Sequence, residues 1–284
     1  MKIGFVFTNY NNSSFTREAV ESLARSGHWP DSHVAVVDNK SRPEDVEELR
    51  RLKRDHPDLH LILHDANVGY FPGLNIGIAY LRGQYPGLDG IVVGNNDLLF
   101  PETFHDRVHE CQDLFSRYAV LAPDLVTSDG VHQNPHVIRE ISPIRELVWD
   151  VYYSNYQLAL LIGYLSRATR KLSRRRDMDD HATARPIFQP YGACFILTPL
   201  FFQHFDSLWA PTFLMGEEYF LSHQVEEMGL ELYYEPRIVV VHHEHSTISK
   251  LPGRHFWGIA KASHAVYRKY VNPFRSRTRN PNVV

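Results

Sequence analysis

Cysteine is scarce in this chain of 284 residues: Cys111 and Cys194 are the only two, far apart and in apolar surroundings. That excludes a disulfide framework and suits a reducing compartment. Long apolar runs are missing too. Leu158–Leu165 comes nearest and is far short of the roughly 20 residues a membrane span needs. Lys2 leads directly into a short strand-like run, with no signal-peptide pattern, so the expected location is cytoplasmic. Acid is absent at the carboxyl end: no Asp or Glu follows Glu244, while Lys250, Arg254, Lys261, Arg268, Lys269, Arg275, Arg277 and Arg279 do. A second basic run holds Arg167, Arg170, Lys171, Arg174, Arg175 and Arg176, behind a net charge of only −3. Basic clusters of this kind bind nucleic acid, anionic lipid or phosphorylated substrates, or are simply solvated helix faces.

What is present is ordinary for a globular protein, with 43% hydrophobic and 22% charged residues, and the length allows one large α/β domain with an extension. Strand and helix signals alternate through the first hundred residues. Strands are expected at Ile3–Phe7, Val34–Val37, Leu61–Leu63 and from Ile91, and helices over Thr16–Arg25, Pro43–Asp55 and Gly73–Arg82. This β-α-β-α-β-α-β order implies a parallel sheet with right-handed crossovers. From Ser128 to Pro186 the rhythm breaks. A Tyr- and Leu-rich helix (Ile144–Leu165) runs into the basic stretch, and the segment reads as an insertion serving substrate or partner. A strand (Ala193–Leu197), a helix (Glu218–Met228) and a strand (Ile238–Val241) follow, then a frayed tail over Asn272–Val284.

Residues 91–97, Ile-Val-Val-Gly-Asn-Asn-Asp, are the most informative stretch. A buried strand ends in three polar side chains, and ligands of open α/β sheets collect at the carboxyl ends of strands. One hard carboxylate beside amides suits Mg²⁺ or Mn²⁺ that keeps phosphate and water as its other ligands. Similar loops follow the other strands. Thr8-Asn9-Tyr10-Asn11 offers backbone N–H groups to a phosphate or base, Asp38 ends the second strand, and Asn67-Val68-Gly69 with Gly73 and Asn75 forms a small-residue loop. Each has ordinary turn chemistry as its bland alternative. Later, Met215-Gly216-Glu217-Glu218 sets two carboxylates at a helix start, and Val241-His242-His243-Glu244-His245 ends a strand in a histidine cluster. Zinc is one reading of that cluster. His242 and His243 point to opposite faces of a strand, however, so a single His joining Asp97 on a divalent ion is more economical.

In order and spacing these pieces resemble an inverting family 2 glycosyltransferase of the GT-A fold, nearest its rhamnosyltransferase-like branch. Further matching pieces are Val37-Asp38-Asn39-Lys40-Ser41, Asn75-Ile76-Gly77, Gly192 through Leu197 and Pro236 through His242. The resemblance covers about residues 3–100 and 188–246. It implies a Rossmann-like, mostly parallel central sheet flanked by helices. The expected GT-A domain is 1–246 with a helical insertion over about 128–186, followed by a basic C-terminal extension over 247–284.

The resemblance also implies roles. Asp38 would bind the nucleotide base, with Thr8 framing the pocket, and Asn9, Asn67, Gly69, Asn75, Asn95 and Asn96 would belong to the donor site. Asn95 and Asp97 match the first and last positions of an Asp-x-Asp motif, so Asp97 would hold a Mg²⁺ or Mn²⁺ ion on the donor diphosphate, with His242 as its second protein ligand. The first Asp is Asn here, which leaves one charge fewer. Glu218 would be the catalytic base beside Glu217, with Phe220 standing where a further acid is often found. The implied reaction moves a sugar from a nucleotide-diphosphate donor to a hydroxyl of a glycan or lipid-linked glycan, in bacterial cell-surface polysaccharide synthesis. A sugar-phosphate nucleotidyltransferase and a non-catalytic binding module are the alternatives. The first would want a Gly-rich basic loop after the first strand, and the second would not need Asp38, Asp97, Glu218 and His242 together. The expected partners are the donor, the acceptor, the anionic inner face of a membrane through the basic segments, and a second copy of the chain, but not nucleic acid.

Overall fold

The computed structural model describes residues 1–139, 141–168, 177–243 and 253–271. The first half is β1 (Ile3–Asn9), α1 (Ser13–Arg25), β2 (Ser32–Asp38), α2 (Pro43–Asp55), β3 (His60–Leu63), α3 (Tyr70–Gln84) and β4 (Gly90–Gly94). β1 pairs in parallel with β2 and with β4, and β2 with β3. The period of two in these strands sorts their side chains into two layers. Phe5, Phe7, Val34, Val36 and Val92 face α1 and α2, while Val6, Ala35, Ile91 and Val93 face α3. Buried on both faces, these strands read as continuous apolar runs.

Beyond β4 the sheet is mixed and curls. β5 (Leu98–Leu99), β6 (Val120–Thr127), β7 (Arg185–Ile187), β8 (Cys194–Leu197) and β9 (Leu232–His242) complete the order β3-β2-β1-β4-β8-β6-β9-β5, with β7 also on β9. β8 runs antiparallel to β4 and β6, while β6 and β9 are parallel. The parallel expectation therefore holds for the first four strands, and the α/β class for the whole. β6 gives no clear strand signal because Pro123 and Asp124 interrupt it, and the structure absorbs them in an irregularity of the ladder at Pro123/Asp124. Pro236 hides the first half of β9 in the same way.

The expected long helix over Ile144–Leu165 is two: α5 (Pro143–Ser154) and α6 (Tyr156–Ala168). Asn155 is extended between them, and its side chain accepts from Gln157 N at 2.8 Å. This is an Asn doing what it does at helix starts. The remaining helices are α4 (Phe104–Glu110), α7 (Pro199–His204), α8 (Glu217–Glu227) and α9 (Gly253–Tyr267). Tyr219 and Phe220 of α8, Tyr267 of α9, Val271 and Trp149 of α5 share a third, small core. The insertion and the segment after residue 246 thus pack together against the acidic helix instead of standing apart from it. The basic stretch 169–176, Glu244, Lys250 and the tail 272–284 lie outside the described residues.

Candidate active site

The strand order reverses direction between β1 and β4, and the carboxyl ends of these strands open the crevice where α/β sheets bind ligands. Asn9, Asp38 and Asn96 meet there, and all three are buried. Asn9 Nδ2 donates to Asp38 Oδ1 at 2.8 Å, and Asp38 Oδ2 accepts from Ser41 N at 3.0 Å. Thr16 Oγ1 donates to Asn9 Oδ1 at 2.8 Å and accepts from Asn96 Nδ2 at 2.7 Å. The Asn96 and Asn12 amides pair reciprocally at 2.9 and 3.0 Å. These side chains bond to one another and brace the strand ends. Thr8 and Asn95 are half-buried beside them.

The loop before α3 has a different reason for its small residues. Asn67 Oδ1 accepts from Gly69 N at 3.1 Å, and Gly69 has φ +98°. A Cβ at Gly69 would sit 2.0 Å from the Phe213 carbonyl oxygen, so the backbone that comes close is this chain's own. Tyr70 N donates to that same oxygen at 3.1 Å. Asn75 likewise gives both halves of its amide to Leu208, each at 2.8 Å. Gly69 and Asn75 thus hold the segment that leads into α8.

Asp97 and His242 are brought together by the sheet. Leu98 of β5 pairs with His242 of β9, and His243 N donates to Asp97 O at 3.0 Å. Both side chains are buried, and Asp97 Oδ1 lies 3.3 Å from His242 Nε2. Neither atom has a hydrogen-bond partner, an expensive condition for buried polar groups. On its other side, His242 Nδ1 lies 2.7 Å from Gln133 Oε1. An amide oxygen only accepts, so Nδ1 is the donor in this pair, and the neutral imidazole in that tautomer has its Nε2 lone pair free for a metal ion. This is how a ligating histidine is oriented. Gln133 sits in the segment read from sequence as an insertion, and no local pattern marks it. His243 turns away, toward Ser128 and Glu18. Among the described residues no three His, Cys, Asp or Glu gather as a metal cage. One hard carboxylate with one imidazole fits a divalent ion such as Mn²⁺ or Mg²⁺ that takes its other ligands, oxygens, from phosphate and water. The zinc cluster is not formed by the described histidines, and Glu244 and His245 lie outside them.

The carboxylates arrive from α8. Met215 and Gly216 adopt left-handed φ values of 80° and 86°, a strained turn for Met that aims the helix start inward. Met215 N donates to Glu217 Oε1 at 2.8 Å, and Ser263 of α9 donates to the Leu214 carbonyl at 2.5 Å. Burial, with Glu218 nearby, pushes the Glu217 carboxyl up to about 7, and burial raises Glu218 as well. A Cβ at Gly192 would lie 3.3 Å from Glu218 Oε2, and Ala193 O accepts from Asn95 N at 2.9 Å. The start of β8 therefore links Glu218 to the Asp97 strand. Tyr70, which the sequence reading left out, bridges the same gap. Its hydroxyl donates to Gly192 O at 3.2 Å. Burial raises its pKa well above the ordinary range, with Glu217, Asp97 and Glu218 adding to the rise. Its one sequence signal is its place directly after the Gly69 turn.

The family model for glycosyl transferase family 2 matches residues 5–142. It runs through β5, α4, β6 and Gln133, beyond the stretch that the motifs marked, and it singles out no rhamnosyltransferase-like branch. Among curated proteins none matches. Solved structures similar in fold include the mannosyltransferase PcManGT from Pyrobaculum calidifontis in complex with GDP-Man and Mn²⁺, at TM-score 0.55 and 15% identity over 96% of this chain and 66% of that one. GalNAc-T7 with UDP, GalNAc and Mn²⁺ gives 0.55 and 13% over 87% and 44%. TarS 1-349 of S. aureus in complex with UDP-GlcNAc gives 0.52 and 14% over 89% and 62%. The chain spans less than two thirds of the length of each. Its residues 5–142 thus match the glycosyl transferase family 2 model, and its fold is that of the GT-A glycosyltransferases.

Proposed function

We propose that the protein transfers a sugar from a nucleotide-diphosphate sugar to an acceptor hydroxyl by a single inverting displacement. The observation that carries this reading is the buried Asp97–His242 pair, with unpartnered atoms facing each other, on the same crevice as two carboxyls of raised pKa. Asp97 and His242 would hold Mg²⁺ or Mn²⁺, which supplies Lewis-acid stabilisation to a departing diphosphate. Glu218 takes the proton from the acceptor hydroxyl as it attacks the anomeric carbon. A carboxyl raised by burial has the basicity for this near neutral pH. Glu217, bonded to the Met215 N–H, fixes the turn and adds negative charge behind Glu218. Tyr70, through its bond to Gly192 O, braces the start of β8 beside Glu218. Asp38 and Thr8 border the base end of the crevice. The two bonds Asp38 already makes leave its remaining lone pairs for a nucleoside. The mannosyltransferase with GDP-Man and the TarS complex with UDP-GlcNAc support a nucleotide-sugar donor. A glycan or lipid-linked glycan acceptor, in cell-surface polysaccharide assembly, fits the apolar and basic elements beside α8. A cytoplasmic enzyme would meet such an acceptor at the inner membrane face.

Incubation with UDP-, GDP- and dTDP-sugars, with and without Mn²⁺, tests the reading by donor consumption. One donor is expected to be hydrolysed slowly, and transferred when an acceptor is supplied, in a divalent-dependent way. Asp97→Ala should abolish the divalent-dependent part of nucleotide binding and leave the circular dichroism spectrum intact. Calorimetry that finds the Mn²⁺-dependent binding unchanged in this variant sinks the assignment.

A further inference from the structure

α5 is amphipathic with its faces exchanged. At about 100° per residue, Ile144, Leu147, Val148 and Val151 fall in one sector. All four are exposed, Ile144 to 75%. The opposite sector holds Glu146, Trp149, Asp150 and Tyr153, and it is turned inward. There Arg268 lies 3.1 Å from Glu146 and 2.6 Å from Asp150, His264 of α9 lies 2.8 Å from Asp150, and the Tyr267 hydroxyl donates to Glu146. The helix pairs its carboxylates with Arg268 and with His264 of α9 and turns its aliphatic stripe outward. α6 also exposes apolar side chains, Leu158, Leu161 and Tyr164, the last to 73%. Large apolar side chains exposed together on two adjoining helices mark an interaction site.

Charge decides what covers it. From Val151 to Arg176 there is no Asp or Glu, and the chain leaving Leu165 carries Arg167, Arg170, Lys171, Arg174, Arg175 and Arg176. A second copy seated on this hairpin would bring two such runs together. Anionic headgroups would neutralise one. Apolar helix faces flanked by cations are the composition of elements that lie in a membrane interface. Among the described residues no helix is long and apolar enough to cross a membrane, so contact in the interfacial plane is the geometry left to these two.

The inner face of the same hairpin packs toward the helix that carries Glu218. Trp149 of α5 shares a small core with Tyr219 and Phe220 of α8 and with Tyr267, and the Tyr153 ring packs 4.6 Å from that of His264. We propose that α5–α6 docks in the interface of an anionic lipid membrane and that the acceptor is an amphiphile held there, its sugar end presented at Glu218. The acceptor half of this inference rests on the transfer reaction proposed above. The docking half does not.

Flotation with phosphatidylcholine vesicles, with and without about 30% phosphatidylglycerol, tests the docking on the full chain. Binding is expected with the anionic vesicles and about tenfold weaker with the neutral ones or at high salt. Combining Ile144→Ser, Val148→Ser and Leu161→Ser, all at exposed positions, should weaken flotation about tenfold or more while leaving donor hydrolysis without vesicles unchanged. Replacing Arg174, Arg175 and Arg176 by Gln should independently remove most of the salt-sensitive part. Three results would overturn the proposal: no flotation of the wild type, equal flotation of the triple Ser variant, or a wild-type dimer that the same substitutions turn into a monomer. Flotation with no hydrolysis of any nucleotide sugar would uphold the docking surface and remove the transfer reaction. Transfer to a soluble glycan that vesicle-borne acceptor does not outcompete would remove the acceptor assignment.

Discussion

Two sets of polar side chains stand at the same sheet edge and behave in opposite ways. At the ends of β1, β2 and β4, Asn9, Asp38, Asn96, Thr16 and Ser41 bond to one another. A few residues along, Asp97 Oδ1 and His242 Nε2 face each other without hydrogen bonds, and Glu217 and Glu218 are held at raised pKa. Most of both sets is buried, so burial alone does not tell frame from chemistry. Asp97 and His242 differ from the first set in hydrogen-bond satisfaction, and Glu217, which accepts from Met215 N, differs in its raised pKa. A satisfied network stabilises its surroundings, whereas an unsatisfied buried group costs free energy that persists where a ligand or a reaction needs it.

The comparison can be broken at either set. The largest expected effect is at Glu218. Glu218→Gln keeps the shape and cannot accept the acceptor proton, so turnover should fall about 10²–10⁴-fold while calorimetry still detects donor binding. Near-wild-type turnover would move the base to Glu217. In the frame, Asn96→Ala removes several buried hydrogen bonds and should cost about 2–4 kcal/mol in chemical denaturation. A variant of unchanged stability that no longer binds donor would turn Asn96 from brace into ligand.

Glu217 sharpens the contrast through pH. Its carboxyl, held near 7, keeps a proton in the folded chain after the unfolded chain has released its own, from about pH 4.5 upward. Stability should therefore fall as pH rises through the window from about 4.5 to about 7. Glu217→Gln still accepts the Met215 N–H. It should flatten that slope and exceed the wild type by up to about 3 kcal/mol above the window. Parallel melting curves of the two proteins across the window would contradict this. The smallest effect is expected at Gln133. Gln133→Leu leaves the His242 Nδ1 proton without its acceptor and should weaken Mn²⁺ binding about 10–100-fold in the presence of nucleoside diphosphate. Imidazole nitrogen shifts should report a changed tautomer, and Gln133→Glu should restore both. Unchanged Mn²⁺ affinity in the Leu variant would make Gln133 a packing residue only.

The N-terminal half was legible because its strands and helices are local patterns. Pro43 opens α2 at the expected residue, Gly94-Asn95-Asn96-Asp97 ends a strand buried on both faces, and the alternation of elements permits few topologies. β6 and the first half of β9 were not legible, since Pro123, Asp124 and Pro236 break the period that marks a strand. α5 and α6 read as one helix because Asn155 is a weak break in sequence and a decisive one when its side chain caps the next turn. In the site, Asp97, His242, Glu217 and Glu218 were legible as residue types at strand and helix ends. Tyr70 and Gln133 were not, because their roles arise from partners more than a hundred positions away.

The sequence by itself determined the α/β class, the run of parallel strands and the kind of side chain at each strand end, because these depend on short-range periodicity and on where apolar runs stop. Tertiary structure alone decided which of those side chains meet. It spent Asn9, Asp38 and Asn96 on one another, closed Gly69 against Phe213, set His242 beside Asp97 through the β5–β9 pairing, and turned the apolar face of α5 outward by pairing its carboxylates with Arg268 and His264. The physical reason is that a polar group's role is set by whether its hydrogen bonds are met, and its partners here come from other strands and helices of the fold.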